Sequence, residues 1–450
     1  MKWLQKILPL FMQRGLDGSE RKGMIEGVFH TFFIQGISIS LVFLGNLLLA
    51  RWAGADAYGA YVHIFNWISI LSVAAIGGRE DLVITEITKY KINDQPGSIP
   101  FFVRATNRYI FIASLLISAL FLASIFLFPI RTLHEHRTEF LIASVAVYFT
   151  AFLTLNQFIL QSLNHIRQSQ LVEKLVKPFL LILFFIIARK LMFQLDSTLL
   201  IIIADLVMGG CCILLAALVI RATKEFKSSI KKAPRKENHT KKTFYFFCIT
   251  LLTLLVTKIS MLILPYFAPQ KDIGFFNISY RFADLIVYPF FLMHTVLPQL
   301  FARHAGSEAS HNQALYSEST RLIMIFSLPL LALNIIAGKF FLGWFGAAFT
   351  EGYTALVLLS IAQFLFSLFG PANTILMMQN REKYSVICLI VYVITLFLTS
   401  LLLMPTLGIT GGAISMLFSC LVYNILLSVQ AYRLSGVISP FFVFIKPLRR

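Results

Sequence analysis

The sequence predicts an all-α polytopic membrane protein of about twelve transmembrane helices, built as two six-helix bundles. Three observations carry that expectation. The 450 residues are 58% hydrophobic and 13% charged, with a mean hydropathy of +0.78, against roughly 45–50% apolar and about 25% charged in soluble domains. Apolar runs near the ~20 residues that cross a ~30 Å hydrocarbon core recur along the whole chain. Between them, Lys and Arg alternate in abundance from one connection to the next, as insertion into a membrane requires.

Residues 1–28 come first. Trp3, Leu4, Ile7, Leu8, Phe11 and Met12 repeat at helical spacing among Lys2, Gln5, Lys6 and Arg14, which predicts a helix lying on the membrane surface. No long apolar run ends in a small-residue cleavage site there, so the first span is expected to act as its own anchor. Six spans follow near 29–50, 58–77, 108–128, 139–161, 174–194 and 196–220. Six more lie near 244–264, 275–301, 319–343, 354–377, 385–405 and 411–430. A tail of 431–450 closes the chain.

Thirty of the 39 Lys and Arg fall on the side that holds both termini, seven on the other, and two within spans. The positive-inside rule then places both termini in the cytoplasm. The net charge of +18 is thereby read as topology and not as a nucleic-acid surface. Nine basic residues against two glutamates mark 221–243 as a basic linker between the halves, placed where it can also meet anionic headgroups. Asn238-His239-Thr240 inside it fits the glycosylation triplet by chance, on the wrong side of the membrane.

Adding 215 to the first half's numbering lays its six spans over the second six, and sets Leu49, Ala53 and Gly59 on Leu264, Ala268 and Gly274. Because six is even, both copies run in the same direction. That is a parallel tandem repeat, with a site expected between the halves.

Charges inside spans are expensive and mark function by default. Lys258 lies six residues before the outer end of its span and Arg281 six after the outer start of the next. At ~1.5 Å per residue both are expected about 9 Å below the outer surface. Asp284, three residues after Arg281, and Asp205, in span six, are candidate partners that would neutralise Arg281 and Lys258 respectively. Arg51 at the outer mouth of span one, and Arg79 with Glu80 and Asp81 at the inner end of span two, are candidate gates or ordinary interfacial anchors. Asn46, Asn66, Asn156, Gln157, Asn334, Gln363, Asn373 and Asn424 are expected chiefly to bond between helices. Pro178, Pro289, Pro329 and Pro371 are expected to kink their spans.

The five cysteines fall in apolar stretches and read as small hydrophobes. His134-Glu135-His136 is the nearest approach to a metal motif and a weak one. The chain carries no HExxH or Walker A pattern, and no cofactor is expected.

Leu48-Leu49-Ala50-Arg51-Trp52-Ala53-Gly54-Ala55-Asp56-Ala57-Tyr58-Gly59-Ala60-Tyr61 resembles the "LLAR-x-LG-x-x-x-YG-x-Y" signature of polysaccharide transporters. These are the Wzx-type flippases of lipid-linked oligosaccharides, in the superfamily that also holds MATE exporters and lipid II flippases. Gly77-Gly78-Arg79 with 84–90 resembles that family's stretch after span two. Trp52-Ala53 departs from it, where an aliphatic residue and Leu are usual. The resemblance implies a MATE-like fold and a flippase of the inner (cytoplasmic) membrane that works by alternating access. Its partners would be a polyprenyl-pyrophosphate oligosaccharide, membrane lipid and a coupling ion, H+ or Na+. Arg281 and Lys258 then supply what a stripped diphosphate needs, a guanidinium fork and a point charge. An ion-coupled small-molecule exporter is the alternative, although 29–50 holds no Asp or Glu.

Overall fold

A computed structural model of the chain describes residues 18–92, 96–127, 135–163, 165–191, 194–224, 226, 240–294, 309–369, 371–378 and 381–438. Helices make up its regular structure. Among the described residues, eight are long and apolar enough to cross a membrane. Two of the eight, Gly36–Ile76 and Lys383–Leu434, fold back on themselves, and two further passes are interrupted helices, which brings the crossings to twelve.

The first folded-back helix is α1 (Gly18–Ile76), which turns at Gly54 with φ 81° and ψ 171°. Only a residue without Cβ takes that backbone cheaply, so a glycine ends the first pass and starts the second. The charge rule assigns this end of the bundle to the outside, and it is called outer here. A second glycine pair, Gly77 and Gly78, both at positive φ, turns the chain into α2 (Arg79–Ile92). No apolar run marks a helix there in the sequence. It is the least apolar of the long helices and packs across the ends of its neighbours, with Lys91 Nζ donating to the Ser162 carbonyl at 2.7 Å.

Then come α3 (Ile99–Leu127) and α4 (Arg137–Ser162). The fifth pass begins as α5 (Ile166–Leu171), widens through a π turn at Val172–Val176, and continues as α6 (Lys177–Lys190). Pro178 sits just after the widened turn, where its missing N–H and ring bulk are absorbed. The sixth pass is α7 (Ser197–Lys224).

In the second half, α8 (Thr240–Ile263) ends in a tight turn, Leu264–Tyr266, before α9 (Gln270–Asp284) returns. This eighth pass is broken again at Leu285–Val287 and resumes as α10 (Tyr288–His294), with Pro289 in its first turn. In lipid a freed carbonyl must find another donor. Ser327 Oγ donates to Ile286 O at 2.8 Å, and Asn334 Nδ2 to Phe282 O at 3.1 Å. The remaining passes are α11 (Ala309–Gly343), α12 (Tyr353–Phe369) continued by α13 (Pro371–Met378), and α14 (Glu382–Ser435). Helix α14 folds back at Gly408, φ 53° and ψ −128°.

Span edges therefore move from the sequence expectation. Span eight was expected at 275–301 but starts at Gln270, and its described part ends at His294. Spans one, three and nine start at least ten residues, nine residues and ten residues earlier than expected, because helix continues past the lipid edge into polar sequence. The surface helix expected at 1–17, most of the basic linker (227–239), His134, residues 295–308 and the end of the tail lie outside the described residues.

Helix α4 packs on α7, α1, α3 and α2, while α12 packs on α14, α11 and α9, and α8 on α14. The two bundles meet where α1 crosses α9 and α8. The amides act mainly within this packing. Asn107 and Asn156 exchange hydrogen bonds of 3.2 and 2.8 Å between α3 and α4, Asn334 reaches Ser360 Oγ at 3.0 Å, and Asn373 pairs with Ser385. All five cysteines are free.

Candidate functional site

At the outer end the halves touch backbone to backbone. A Cβ built on Gly59 would fall 1.9 Å from the Gln270 carbonyl oxygen, and one on Gly274 would fall 3.1 Å from the Ala55 carbonyl. Gly59 and Gly274 are the residues that the internal repeat sets on each other. The duplication thus places a glycine from each half at one pseudo-symmetric crossing, so that α1 and α9 approach closely. Small residues are what permit such an approach between membrane helices. Beside it, Tyr58 is fully buried. Its hydroxyl donates to Asn46 Oδ1 at 2.8 Å and accepts from Asn277 Nδ2 at 2.7 Å. Further down, Asn66 Nδ2 reaches Met261 Sδ across the same seam at 3.4 Å.

Below this crossing lies the charged group. Lys258 on α8 is within electrostatic reach of Arg281 and Asp284 on α9, and all three are half-buried. Arg281 also lies within electrostatic reach of the Tyr58 hydroxyl. Lys258 precedes Tyr266 by eight residues and Arg281 follows Gln270 by eleven. At ~1.5 Å per residue they sit about 12 and 16 Å from the outer end, near the middle of a ~30 Å core. That is deeper than the 9 Å expected, because α9 begins five residues before the apolar run does.

No direct ion pair within 4.0 Å joins these cations to a carboxylate among the described residues. Asp284 is near enough to offset one of the two charges, which leaves the group with an excess cation. The tyrosines Tyr280 and Tyr288 lie within reach of Asp284, and Tyr280 lies near Gln363. The expected partnership of Asp205 with Lys258 is corrected. Asp205 lies in the first half within reach of Tyr61, and its Oδ1 is buried without a hydrogen-bond partner. Helix α7 is apolar on all sides, so the sequence held no clue to which face Asp205 would take.

The other candidates fall elsewhere. Arg51 is exposed at the outer bend. Arg79 begins α2, its guanidinium carbon 3.4 Å from the centre of the Tyr109 ring, a cation–π contact. His136 Nδ1 is 3.2 Å from Glu139 Oε1, which also accepts from Ser197 Oγ at 3.1 Å. No group of three metal-ligating side chains forms among the described residues. Tyr58 and Asn277 escaped the sequence reading, although Tyr58 stands inside the signature stretch, directly before Gly59.

Among solved structures, the chain is similar to an inward-facing multidrug-resistance MATE transporter of the MOP superfamily. The two share 14% identity with a TM-score of 0.71, over 88% of this chain and 94% of the other. It is also similar to the lipid II flippase MurJ in an inward-closed conformation, at 11% identity and a TM-score of 0.68 over 93% of each chain. A third is a MOP transporter from Pyrococcus furiosus, described by a reversed polarity of its binding pocket, at 14% identity and a TM-score of 0.65 over 91% and 95%. At such identities the likeness establishes the fold, the two-bundle MATE-like architecture. No curated protein matches the sequence. The family model for polysaccharide biosynthesis proteins matches residues 24–304, more than half of the chain, and the chain belongs to that family.

Proposed function

We propose that the protein is a flippase that moves the headgroup of a polyprenyl-pyrophosphate-linked oligosaccharide across the cytoplasmic membrane. The two moving bodies are residues 29–220 and 244–430, joined by the basic linker 221–243, with 1–28 and 431–450 in the cytoplasm. The observation that carries the reading is the excess cation of the Lys258–Arg281–Asp284 group at mid-depth beside the seam. An inert bundle has no reason to hold cations there, since each charge in lipid costs about 2.5–3.5 kcal/mol on insertion scales. A diphosphate stripped of water needs charge-assisted donors, and a guanidinium supplies them in a planar fork. Membership of the polysaccharide biosynthesis family supports a glycan on that diphosphate, and the lipid tail stays in the membrane.

Alternating access follows from the two-body build: the outer crossing at Gly59 and Gly274 is closed here, so the headgroup is taken up from the cytoplasmic side. Rocking of the halves then opens the outer end. Energy would come from an ion gradient (H+ or Na+) or potential gradient, or from the cargo's own concentration difference. The alternative is an ion-coupled small-molecule exporter, favoured by one observation, the unpartnered carboxylate oxygen of Asp205 in the half opposite the cations.

Reconstitution in liposomes with a labelled polyprenyl-pyrophosphate oligosaccharide, read with a membrane-impermeant reagent, tests the reading. Translocation is expected for wild type and is expected to fall at least tenfold in Lys258→Ala and Arg281→Ala while both variants still fold. No translocation of any such lipid, with or without an ion gradient, would transfer the conclusion to the exporter.

A further inference from the structure

We infer that Tyr58 couples occupancy of Arg281 to the outer seal, so that an anion drawn onto Arg281 releases the contact between the halves. The inference rests on the anion-site reading above. A phenol has one proton and two lone pairs; here the proton goes to Asn46 Oδ1 at 2.8 Å and one lone pair accepts from Asn277 Nδ2 at 2.7 Å, while the Arg281 guanidinium lies within electrostatic reach of the same oxygen. Asn46 and Tyr58 belong to the first half, Asn277 and Arg281 to the second. One hydroxyl therefore ties the halves together and stands beside a cation of the site.

The surroundings make this tie a part of the seal. Tyr58 is followed at once by Gly59, whose Cα lies against the Gln270 carbonyl. Its ring packs on Phe349 at 6.3 Å between centroids, and Phe349 packs on Phe275 of α9 at 5.1 Å. Asn277 and Arg281 are four residues apart on α9, hence on one face. An anionic phosphate oxygen attracts a guanidinium more strongly than a neutral phenol oxygen does, and can be held by two parallel bonds. An anion arriving at Arg281 therefore draws the guanidinium away from the phenol and pulls on the turn that carries Asn277. The empty site keeps the outer end shut, and the loaded site loosens it.

The test uses the full chain with its five cysteines replaced and one introduced by Ile273→Cys, a position fully buried beside Gly274. Maleimide labelling of the purified protein is followed with and without inorganic pyrophosphate, and pyrophosphate binding is measured separately by titration calorimetry. With Tyr58 intact, pyrophosphate is expected to speed labelling at least fivefold. With Tyr58→Phe, which keeps the ring, labelling is expected to be fast from the start and to change less than twofold. Asn277→Ala, which leaves Tyr58 in place, is expected to raise the starting rate as well. Pyrophosphate that binds without changing labelling when Tyr58 is intact, or a Tyr58→Phe protein that keeps the full response, overturns the coupling and leaves the site reading standing. Absence of pyrophosphate binding overturns both.

Discussion

Gly59→Ala is the smallest change that separates the halves at the outer end. The added Cβ would lie 1.9 Å from the Gln270 carbonyl oxygen and 2.8 Å from its carbon. Ordinary contact begins near 3.4 Å, so α1 and α9 must part by about 1.5 Å, and the obstacle is backbone that no rotamer can move. Overpacking of this kind costs about 1–3 kcal/mol. On the proposed alternating access, which parts this contact, the cost falls on the outer-closed state alone. At 1.4 kcal/mol per tenfold that shifts the balance toward outer opening by roughly 5- to 150-fold. Helix propensity favours Ala by about 1 kcal/mol but equally in both states, so it drops out of the balance and the clash sets the sign. Labelling of the cysteine introduced by Ile273→Cys is the assay, with Gly210→Ala as control, since nothing lies within 4 Å of a Cβ there. Gly274→Ala, 3.1 Å from the Ala55 carbonyl and 3.2 Å from Tyr58 Cδ1, should fall between the two. If Gly59→Ala labels no faster than Gly210→Ala, the crossing is not a seal.

Asp284→Asn removes the carboxylate that offsets the two cations. For an effective dielectric near 20 and a separation of roughly 8 Å, its loss strengthens anion binding by about 2 kcal/mol, so pyrophosphate should bind ten- to thirtyfold more tightly in calorimetry while headgroup release slows. Weaker binding would show that Asp284 shapes the site instead of opposing the anion. Asn107→Ala and Asn156→Ala should each lower the detergent melting temperature, since each leaves an amide in the bundle without its partner at a cost of about 1–2 kcal/mol. The double variant should recover part of the loss, and strict additivity of the two would refute the pair.

The sequence carried those features whose cost in lipid is local. Twelve passes were legible because a run of ~20 apolar residues has no other stable place, and Lys258, Arg281 and Asp284 were legible because charge in a span is costly wherever it faces. What depends on rotation about a helix axis was not. Asp205 turns toward Tyr61 and not toward Lys258, and a helix apolar all round gives no signal of its facing direction. The breaks in passes five and eight were signalled by Pro178 and Pro289 only as kinks. Their form, a π turn in one and a tight turn with Ser327 on its carbonyl in the other, depends on neighbours that are distant in sequence. Gly59 and Gly274 were visible as repeat landmarks, and their contact was not, since a landmark does not say where two copies meet.

The repeat also explains why the site is one-sided. Counting back 215 residues, the places of Lys258, Arg281 and Asp284 are held in the first half by Phe43, Asn66 and Ser69. Phe43 packs edge-on against Phe282 and Phe345 at 5.1 and 5.3 Å, Asn66 reaches Met261 across the seam, and Ser69 Oγ bonds back to the Phe65 carbonyl at 2.7 Å. None of the three carries charge, and two of them contact the second half. The two halves thus share a common crossing, glycine on glycine, while the matching positions are charged residues in one half and packing residues in the other. An anion bound by such a site is held by one body only, so the halves can separate without breaking its charge-assisted bonds. Had matching cations stood in both halves, the same anion would have clamped them together and opposed the motion that releases it. Asn66→Lys, which restores a cation to the first half, should for that reason tighten pyrophosphate binding while slowing translocation, and an increase in both would refute the one-body account.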